Sequence, residues 1–386
     1  MKAWNSEQIF CAGDPYFASL KEAIAQAQAS IDLESYIFDS DHIGKEITLA
    51  LQAAAQRGVL VRLLVDGFGA IYYDRRTYVK TLDPCFQVRV FRPMLLRFFR
   101  FKRSNKSLFF RFFRWIRFSN HRNHRKVSIF DSKIAFVGSI NISEVHSERF
   151  KKSAAWRDTS IRVEGEEVAF LTEAFERSWR KSIRHDGRIR WKRTGVFRRP
   201  TQTEGSTHLV RLNDTLHLRR THYQDLLQRI ITTKNRVWMT SAYFAPHFSL
   251  LRALRLAAWK GRDVRVLIPQ KTDIWIFRWV TPAFYYFLLE AGVKIYEYVP
   301  RMLHAKTLLI DDWALIGSSN MNHRTLLHDL EVDVVVSKNH SKKALESQFS
   351  ADLFDSSEVT LTTLRGRSRL GRWIGKISLL LIRRWL

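Results

Sequence analysis

Two strings of residues in this chain repeat an imidazole, an ammonium group and an amide at nearly the same spacing. The first string holds His124 and Lys126, and the second holds His304 and Lys306. A histidine can act as a nucleophile or as a general acid and base, while a nearby lysine can neutralise an anion. Each string continues to an aspartate, a serine and an asparagine, which are Asp131, Ser139 and Asn141 in the first and Asp311, Ser318 and Asn320 in the second. Such side chains around one point would suit a phosphate diester.

The histidine and lysine of each string are predicted to lie on one face of a strand. Apolar, β-prone residues follow them at Val127–Phe130 and Thr307–Ile310. Residues two apart on a strand point to the same side, so each imidazole and its ammonium group share one space. Asp131 and Asp311 then fall at hairpin turns. Both aspartates are candidate catalytic residues, although a turn position favours turn formation and network support.

The stretch between the aspartate and the Gly-Ser pair is one residue shorter in the second string. This difference predicts a hairpin that is shorter by one residue. The glycine allows close approach of the backbone to a ligand, and Ser and Asn offer uncharged hydrogen bonds. We therefore predict that these serines and asparagines bind or support the phosphate.

The doubled pattern resembles the phospholipase D superfamily, in which an HxKxxxxD motif followed by GSxN occurs twice. The surroundings of the histidines, Asn123–Lys126 and Met302–Lys306, are most similar to bacterial cardiolipin synthases. Asp158 and Glu331 match acidic positions that follow each motif and orient the imidazoles in relatives. The resemblance implies an α/β fold in which two duplicated phospholipase D-like halves pack face to face, with one active site between them.

The resemblance also implies a reaction. By this analogy, His124 attacks phosphorus and becomes a phosphohistidine, while His304 protonates the departing alcohol and then deprotonates the incoming one. The sequence itself does not decide which histidine takes which role. The chain has no CxxC pair and no HExxH string, and Lys126 and Lys306 place cations where a metal would otherwise sit. We therefore predict a metal-independent mechanism without a cofactor.

The same order of helices and strands recurs in both halves of the chain, which indicates internal duplication. In the first half the patterns predict a helix at Asp14–Ala29, a strand at Ser30–Phe38, a helix at Ile43–Arg57 and a strand at Val59–Val65. In the second half they predict a helix at Tyr223–Thr232, a strand at Arg236–Phe244, a helix at Leu250–Lys260 and a strand at Val264–Ile268. Alternating helices and buried strands favour a mixed α/β architecture.

Composition and turn residues divide the chain into four parts. We predict an N-terminal half at 1–181 with a basic, aromatic insert at 93–120, and a turn-rich linker at 182–207. A C-terminal half at 208–355 and a basic amphipathic tail at 356–386 follow.

An excess of basic residues predicts an anionic partner. The chain has 64 Lys and Arg against 37 Asp and Glu, a net charge of +27. The 93–120 insert interleaves Arg with Phe, which is compatible with a membrane-surface segment, a nucleic-acid stacking platform or internal packing. We favour the membrane, and we interpret the tail, which could also be a docked helix, as an interfacial anchor.

Several features predict where the protein acts. The first residues lack the apolar run of a signal peptide, and no stretch reaches the roughly 18 apolar residues of a membrane span. The chain thus resembles the shorter branch of cardiolipin synthases, which lacks N-terminal spans. Two cysteines, Cys11 and Cys85, imply no disulfide framework. We expect a peripheral protein on the cytoplasmic face of the cell membrane, bound to anionic phospholipid such as phosphatidylglycerol, with no obligate protein partner.

Three functions remain possible at this point. The leading hypothesis is a cardiolipin synthase that converts two phosphatidylglycerol molecules into cardiolipin and glycerol. A second is hydrolysis of phospholipid or nucleic acid with the same residues, because fold and site fix phosphodiester chemistry but not the acceptor. A third is a basic binding protein on an inactive scaffold, which the completeness of both motifs opposes.

Overall fold

Each half of the chain folds into a sheet of eight strands, and the two sheets have matching strand orders. A computed structural model describes residues 2–70, 83–93, 121–184, 208–275, 277–322, 325 and 328–366. The predicted insert beyond Pro93, most of the predicted linker and the tail beyond 366 lie outside the described residues.

The first half is a mixed sheet with helices on it. Its elements are β1 (Ser6–Phe10), α1 (Gly13–Gln26), β2 (Ser30–Ser35), α2 (His42–Gln56), β3 (Leu60–Asp66), β4 (Phe86–Phe91), β5 (Val127–Phe130), β6 (Ile134–Gly138), α3 (Glu148–Lys151), β7 (Ser160–Glu164), α4 (Val168–Lys181) and β8 (Ile183–Arg184). The strand order is β1-β7-β6-β5-β2-β3-β4-β8. Strands β2, β3 and β4 are parallel, whereas β5, β6 and β7 pair antiparallel.

The second half repeats this plan. Its elements are β9 (Val210–Leu212), α5 (Leu216–Thr232), β10 (Arg236–Thr240), α6 (Phe248–Trp259), β11 (Asp263–Pro269), α7 (Phe277–Val280), α8 (Tyr285–Leu289), β12 (Lys294–Tyr298), β13 (Thr307–Ile310), β14 (Trp313–Gly317), β15 (Val332–Val336), α9 (Asn339–Phe354), β16 (Ser356–Val359) and α10 (Leu361–Gly366). The strand order is β16-β12-β11-β10-β13-β14-β15-β9. When it is read from β9, it matches the order of the first sheet strand for strand, with β9 in the place of β1 and β16 in the place of β8. The predicted α/β fold of two duplicated halves is confirmed.

Local sequence explains why corresponding helices stop at the same place. Helix α2 ends before Gly58, which has φ +91°, and helix α6 ends before Gly261, which has φ +76°. A left-handed residue after the last turn is the common way to end a helix, and glycine adopts it without a Cβ clash. Each chain then turns directly into the next parallel strand, β3 or β11.

A central apolar core lies between the sheets and contains residues of both halves. Its members include Val127, Ile129, Val137 and Ile161 from the first half and Leu303, Leu309, Ile316 and Val334 from the second. Separate cores lie under α1 and α2 and under α5 and α6. Burial of one such side chain contributes about 1.5–3 kcal/mol, so the shared core holds the halves face to face.

Several predicted boundaries differ from the observed ones. The strands predicted to reach Phe38 and Phe244 end at Ser35 and Thr240. Helix α5 begins at Leu216, earlier than predicted, because the Thr215 hydroxyl caps it by accepting the N–H of Leu218 at 3.1 Å.

The edge strands β8 and β16 lie in the ranges predicted as linker and tail, where two to four residues carry no readable period. Among the residues that the structure describes, none of the helices combines the length and apolarity needed to cross a bilayer.

Candidate active site

Backbone hydrogen bonds join the two halves next to each predicted histidine. His124 donates its N–H to the carbonyl of Leu330 at 2.9 Å, and His304 donates its N–H to the carbonyl of Arg157 at 2.8 Å. In each bond the donor is the histidine just before a motif strand of one half. The acceptor is the residue just before Asp158 or Glu331 in the other half. The duplication relates the two bonds, so they bring both motifs to one point.

Each imidazole is paired with a carboxylate of the opposite half. Nδ1 of His124 lies 3.0 Å from Oε2 of Glu331, and Nδ1 of His304 lies 3.1 and 3.2 Å from the two oxygens of Asp158. A carboxylate can only accept, so Nδ1 carries the proton and Nε2 keeps the lone pair that a nucleophile or base needs. The predicted orienting residues therefore act across the interface between the halves.

The two motif serines hold these carboxylates. Ser139 Oγ donates to Asp158, and Ser318 Oγ donates to Glu331 Oε2 at 2.5 Å. All four side chains are buried. A buried carboxylate needs donors around it, and the serines supply them from behind the carboxylates. Their predicted role, to bind or support the phosphate, stays a prediction.

The two motif lysines are buried beside their histidines. Lys126 Nζ donates to the carbonyl of His124 at 2.7 Å, and Lys306 Nζ donates to the carbonyl of His304 at 2.7 Å. Lys306 Nζ also lies 3.0 Å from Nε2 of His304. Burial lowers the pKa of Lys126 to about 7 and that of Lys306 to about 8. The site therefore holds two desolvated cations that an anionic diester would stabilise.

The two histidine–carboxylate pairs differ in charge state. Burial, reinforced by Lys126 and Lys306, lowers the pKa of His124 well below its ordinary value. Burial raises the pKa of Glu331 to about 7, whereas Asp158 keeps a pKa well below its usual range because neighbouring imidazoles outweigh its burial. A single duplicated motif thus provides one firmly ionised carboxylate and one that binds a proton near neutrality.

The motif asparagines lie on either side of this centre and differ in their contacts. Asn141 Oδ1 accepts the N–H of Ile37 at 3.2 Å. Asn320 Oδ1 is buried and has no hydrogen-bond partner among the described residues. An orphaned buried acceptor is costly unless a ligand or water satisfies it, so Asn320 is the asparagine better placed to receive a substrate hydroxyl.

Comparison with known proteins identifies the family. The family model described as "Cardiolipin synthase, PLD-like domain" matches residues 20–179 and 226–353, which include both motifs. The chain belongs to this phospholipase D-like family. It is 31% identical over 94% of its length to a cardiolipin synthase of Halalkalibacterium halodurans, of which it spans 69%. It is 30% identical over 95% of its length to a cardiolipin synthase of Clostridium perfringens, of which it spans 74%.

A solved structure has the same fold as this family member. The crystal structure of a phosphatidylserine synthase from Haemophilus influenzae matches with a TM-score of 0.69 at 13% identity. The match covers 98% of this chain and 93% of that one. The superfamily predicted from the doubled motif is confirmed, and the two-sheet architecture is shared along nearly the whole chain.

The aspartates of the two HxKxxxxD motifs lie at the far ends of the motif strands. Asp131 accepts the backbone N–H groups of Gln28, Ala29 and Ser30 at 2.7–3.0 Å. Asp311 likewise accepts the N–H groups that open β10. Each aspartate lies five residues beyond its lysine, across a strand of four residues, a span of roughly 17 Å at about 3.3 Å per residue. This placement favours a structural role for both aspartates over the predicted catalytic one.

The hairpins that contain these aspartates confirm the predicted difference in length. Phe130 pairs with Ile134 across three turn residues, while Ile310 pairs with Trp313 across two. Asp131 and Asp311 both have positive φ, near 50°, which carboxamide and carboxylate residues tolerate better than most in turns.

Aromatic rings around the histidines were missed by the sequence analysis. The Tyr36 ring lies 4.8 Å from that of His124, and the Trp156 and Tyr243 rings lie 5.2 and 5.9 Å from that of His304. Both tyrosines follow the carboxyl ends of central strands, β2 and β10, where ligands bind in α/β sheets. The position of the two tyrosines after these strands is the sequence feature that could have identified them. His146, which lies against Asp158, was also missed.

We predict that Asp131→Ala destabilises the protein but spares the chemistry. The substitution removes the acceptor of three N–H groups, which water replaces only in part, so the free energy of unfolding should fall by about 1–3 kcal/mol. Urea unfolding measures this loss, and kcat on a short-chain phosphatidylglycerol should stay within a few-fold of wild type. Loss of kcat in a folded variant would return Asp131 to the catalytic group.

We also predict an alkaline limb in kcat/KM that reports the two lysines. Each lysine is cationic below its lowered pKa, so attraction for an anionic diester should decline as pH rises through about 7 and 8. Because kcat/KM reports the free enzyme, its pH profile on a soluble substrate measures these groups. Lys306→Arg should move the limb upward, since guanidinium keeps its proton. A profile that stays flat to the ordinary lysine pKa of 10.5 would contradict the prediction.

Proposed function

We propose that this protein is a cardiolipin synthase that transfers a phosphatidyl group between two phosphatidylglycerol molecules and releases glycerol. The observation that carries the proposal is the pair of cross-half histidine–carboxylate contacts in one buried centre with two ammonium groups. This arrangement supplies a nucleophile, a proton carrier and fixed cations for a phosphate diester. The cardiolipin synthases to which the chain is similar support phosphatidylglycerol as the acceptor.

In the first step, the Nε2 lone pair of His124 attacks the phosphorus of one phosphatidylglycerol. The bond from phosphorus to the headgroup glycerol oxygen breaks, and His304 gives its Nε2 proton to that oxygen. Family resemblance assigns these two roles. The bound diester adds negative charge near Lys306. This charge reduces the repulsion between the Lys306 ammonium and the His304 imidazolium, and it therefore favours the imidazolium form of His304.

In the second step, a hydroxyl of another phosphatidylglycerol loses its proton to His304 and attacks the phosphohistidine. The bond from phosphorus to Nε2 of His124 breaks, which restores the free imidazole and yields cardiolipin. Lys126 and Lys306 offset the charge on the non-bridging oxygens throughout. Their two charges support the predicted mechanism without a metal.

The surroundings of the centre favour an alcohol over water as the acceptor. Tyr36, Trp156 and Tyr243 cover the two imidazoles, and the His304 side chain is almost fully buried. The His124 side chain remains 13% exposed, so it can be reached by a substrate. A covered phosphohistidine survives until a positioned hydroxyl arrives, because exclusion of water suppresses hydrolysis.

An exposed aromatic segment supports an anionic phospholipid membrane as the partner. Trp275 is 71% exposed and Phe287 is 46% exposed, whereas the intervening Tyr285 is buried in the core. The ring centroid of Phe277 in this segment lies 5.1 Å from that of Tyr243, whose ring lies beside His304. The segment therefore lies next to the site, and exposed rings with a net charge of +27 suit the interface of an anionic leaflet. We propose a peripheral protein on the cytoplasmic face of the membrane.

The function is tested by incubating purified protein with phosphatidylglycerol vesicles. We expect cardiolipin and glycerol in equal amounts, and His124→Ala or His304→Ala should each lower turnover by about 10³-fold or more, because the route needs both groups. Phosphatidic acid without cardiolipin would identify a hydrolase instead. Cleavage of plasmid DNA in a parallel reaction, lost in both variants, would favour a nuclease.

The membrane surface is tested by the double substitution Trp275→Ser and Phe287→Ser. We expect weaker binding to phosphatidylglycerol vesicles and a fall in turnover on vesicles of about tenfold, since the rings lose interfacial burial. Turnover of monomeric short-chain phosphatidylglycerol should be unchanged.

Trp259→Ser is the matched control for this surface. Trp259 is 60% exposed but ends α6 just before β11 begins, at the opposite end of the strands from the carboxyl ends that the site tyrosines follow. Equal effects of the control and the double variant, or equal losses on both substrates, would contradict the proposed surface.

A further inference from the structure

His146 is a fully buried imidazole that belongs to neither recurrent motif. It ends a short 3₁₀ turn, Glu144–His146, just after the first GSxN string. Its Nδ1 lies 2.7 Å from Oδ2 of Asp158, and its ring centroid lies 6.1 Å from that of His304. The carboxylate that holds His304 is thus held in turn by a second histidine.

The contacts of His146 fix its tautomer. Its Nε2 accepts the backbone N–H of Asn141 at 3.3 Å, so this nitrogen must carry the lone pair. Nδ1 therefore carries the proton and lies 2.7 Å from Oδ2 of Asp158, within ion-pair distance but outside hydrogen-bond geometry. A neutral imidazole in this tautomer ties the carboxylate to the backbone of the GSxN string. Gly13 leaves room for this turn, because a Cβ there would come within 2.0 Å of the His146 carbonyl.

At the equivalent place in its sequence, the second half has a threonine. Thr325 stands at the same distance in sequence from Asn320 as His146 does from Asn141. Its hydroxyl donates to Oε1 of Glu331 at 3.3 Å, a longer contact than the 2.7 Å of His146. Asn320, Thr325 and Glu331 line a cavity, whereas His146 is buried against Asp158. The duplication has therefore diverged at the carboxylate supports.

We propose that His146 is a positioning residue for His304, acting through Asp158. The proposal rests on the proposed function, in which His304 carries the proton to and from the reacting alcohols. With Nδ1 of His146 at 2.7 Å and a hydroxyl donor from Ser139, the Asp158 carboxylate is held so that it presents an oxygen to Nδ1 of His304. A fixed anion at that point stabilises the imidazolium that forms when His304 takes a proton.

Other charged groups face the same pair and set the background for its titration. Lys126 and Lys306 interact electrostatically with Asp158. Asp39, from the loop before α2, interacts electrostatically with His146. None of the three is itself replaced in the His146 variants. The interaction of Asp39 with His146 is lost in both the Asn and the Gln variant, so the difference between their pH profiles reports the His146–Asp158–His304 chain.

The test compares two substitutions that each keep one contact. The terminal amide of Asn reaches the position of Nδ1, so His146→Asn keeps a donor for Asp158. The terminal amide of Gln reaches the position of Nε2, so His146→Gln keeps the contact with the Asn141 backbone and loses the donor. We expect His146→Asn to stay within a few-fold of wild type and His146→Gln to lose about 10–100-fold in kcat with KM nearly unchanged.

The pH profile and the leaving group separate positioning from general damage. In His146→Gln the Asp158 anion beside the His304 imidazolium is held less firmly, so the alkaline limb of kcat should move to lower pH. Burst release of p-nitrophenol from short-chain phosphatidyl-p-nitrophenol should be nearly unaffected, because that leaving group needs little protonation. Glycerol release from phosphatidylglycerol should carry the full loss.

A double-mutant cycle with Asp158→Asn completes the test. Because His146 acts through Asp158, His146→Gln should cost little more in that background. Full additivity, equal losses for the Asn and Gln variants, or an unshifted pH limb would each overturn the proposal. Thermal unfolding confirms that the compared variants fold. If glycerol is released in the expected pattern but no cardiolipin forms, the synthase assignment fails while the role of His146 stands.

Discussion

The carboxylates Asp158 and Glu331 are each buried in one half of the chain and satisfied by a histidine of the other half. A buried polar group that loses a hydrogen-bond partner costs about 1–3 kcal/mol, and more when it is charged, so neither half is complete alone. The same contacts that dock the two sheets also select the Nδ1–H tautomer of each imidazole. Docking of the halves and assembly of the catalytic centre are therefore one event, and the shared apolar core supplies its driving force.

Duplication gives two similar histidine–carboxylate pairs, but the proposed reaction gives the two histidines different roles. The two pairs differ in the side chains that contact each carboxylate. Asp158 is surrounded by two imidazoles and stays ionised, while Glu331, supported by Thr325, has a pKa raised by burial to about 7. A proton carrier benefits from a permanent anion, whereas a nucleophile must only keep its lone pair. Outside the motifs, the contact with His146 distinguishes Asp158 from Glu331.

The local elements of this fold were predictable because their periods are local. Two-residue and 3.6-residue patterns identified β2, α2, β3 and the motif hairpins to within a few residues. The pairing of each histidine with a carboxylate of the other half was not predictable, because nothing in the sequence around Glu331 specifies His124 rather than His304. His146 shows no period and no motif, and its role depends on a fold that places Asn141 and Asp158 on either side of its ring. Contacts between distant segments decide the site, and local patterns do not encode them.

The HxKxxxxD spacing places the histidine and lysine at one end of a strand and the aspartate at the other. The histidine and lysine, which were expected on the strand itself, lie just before β5 or β13, where the sheets meet, and the aspartate lies just after the strand. There Asp131 accepts hydrogen bonds from backbone N–H groups at the start of β2, and Asp311 accepts them from N–H groups at the start of β10. Each motif strand is thereby fixed in register against its neighbour, since a slip of one residue would turn the lysine away from the centre. The aspartate recurs with the histidine because register, set at one end of the strand, positions the chemistry at the other.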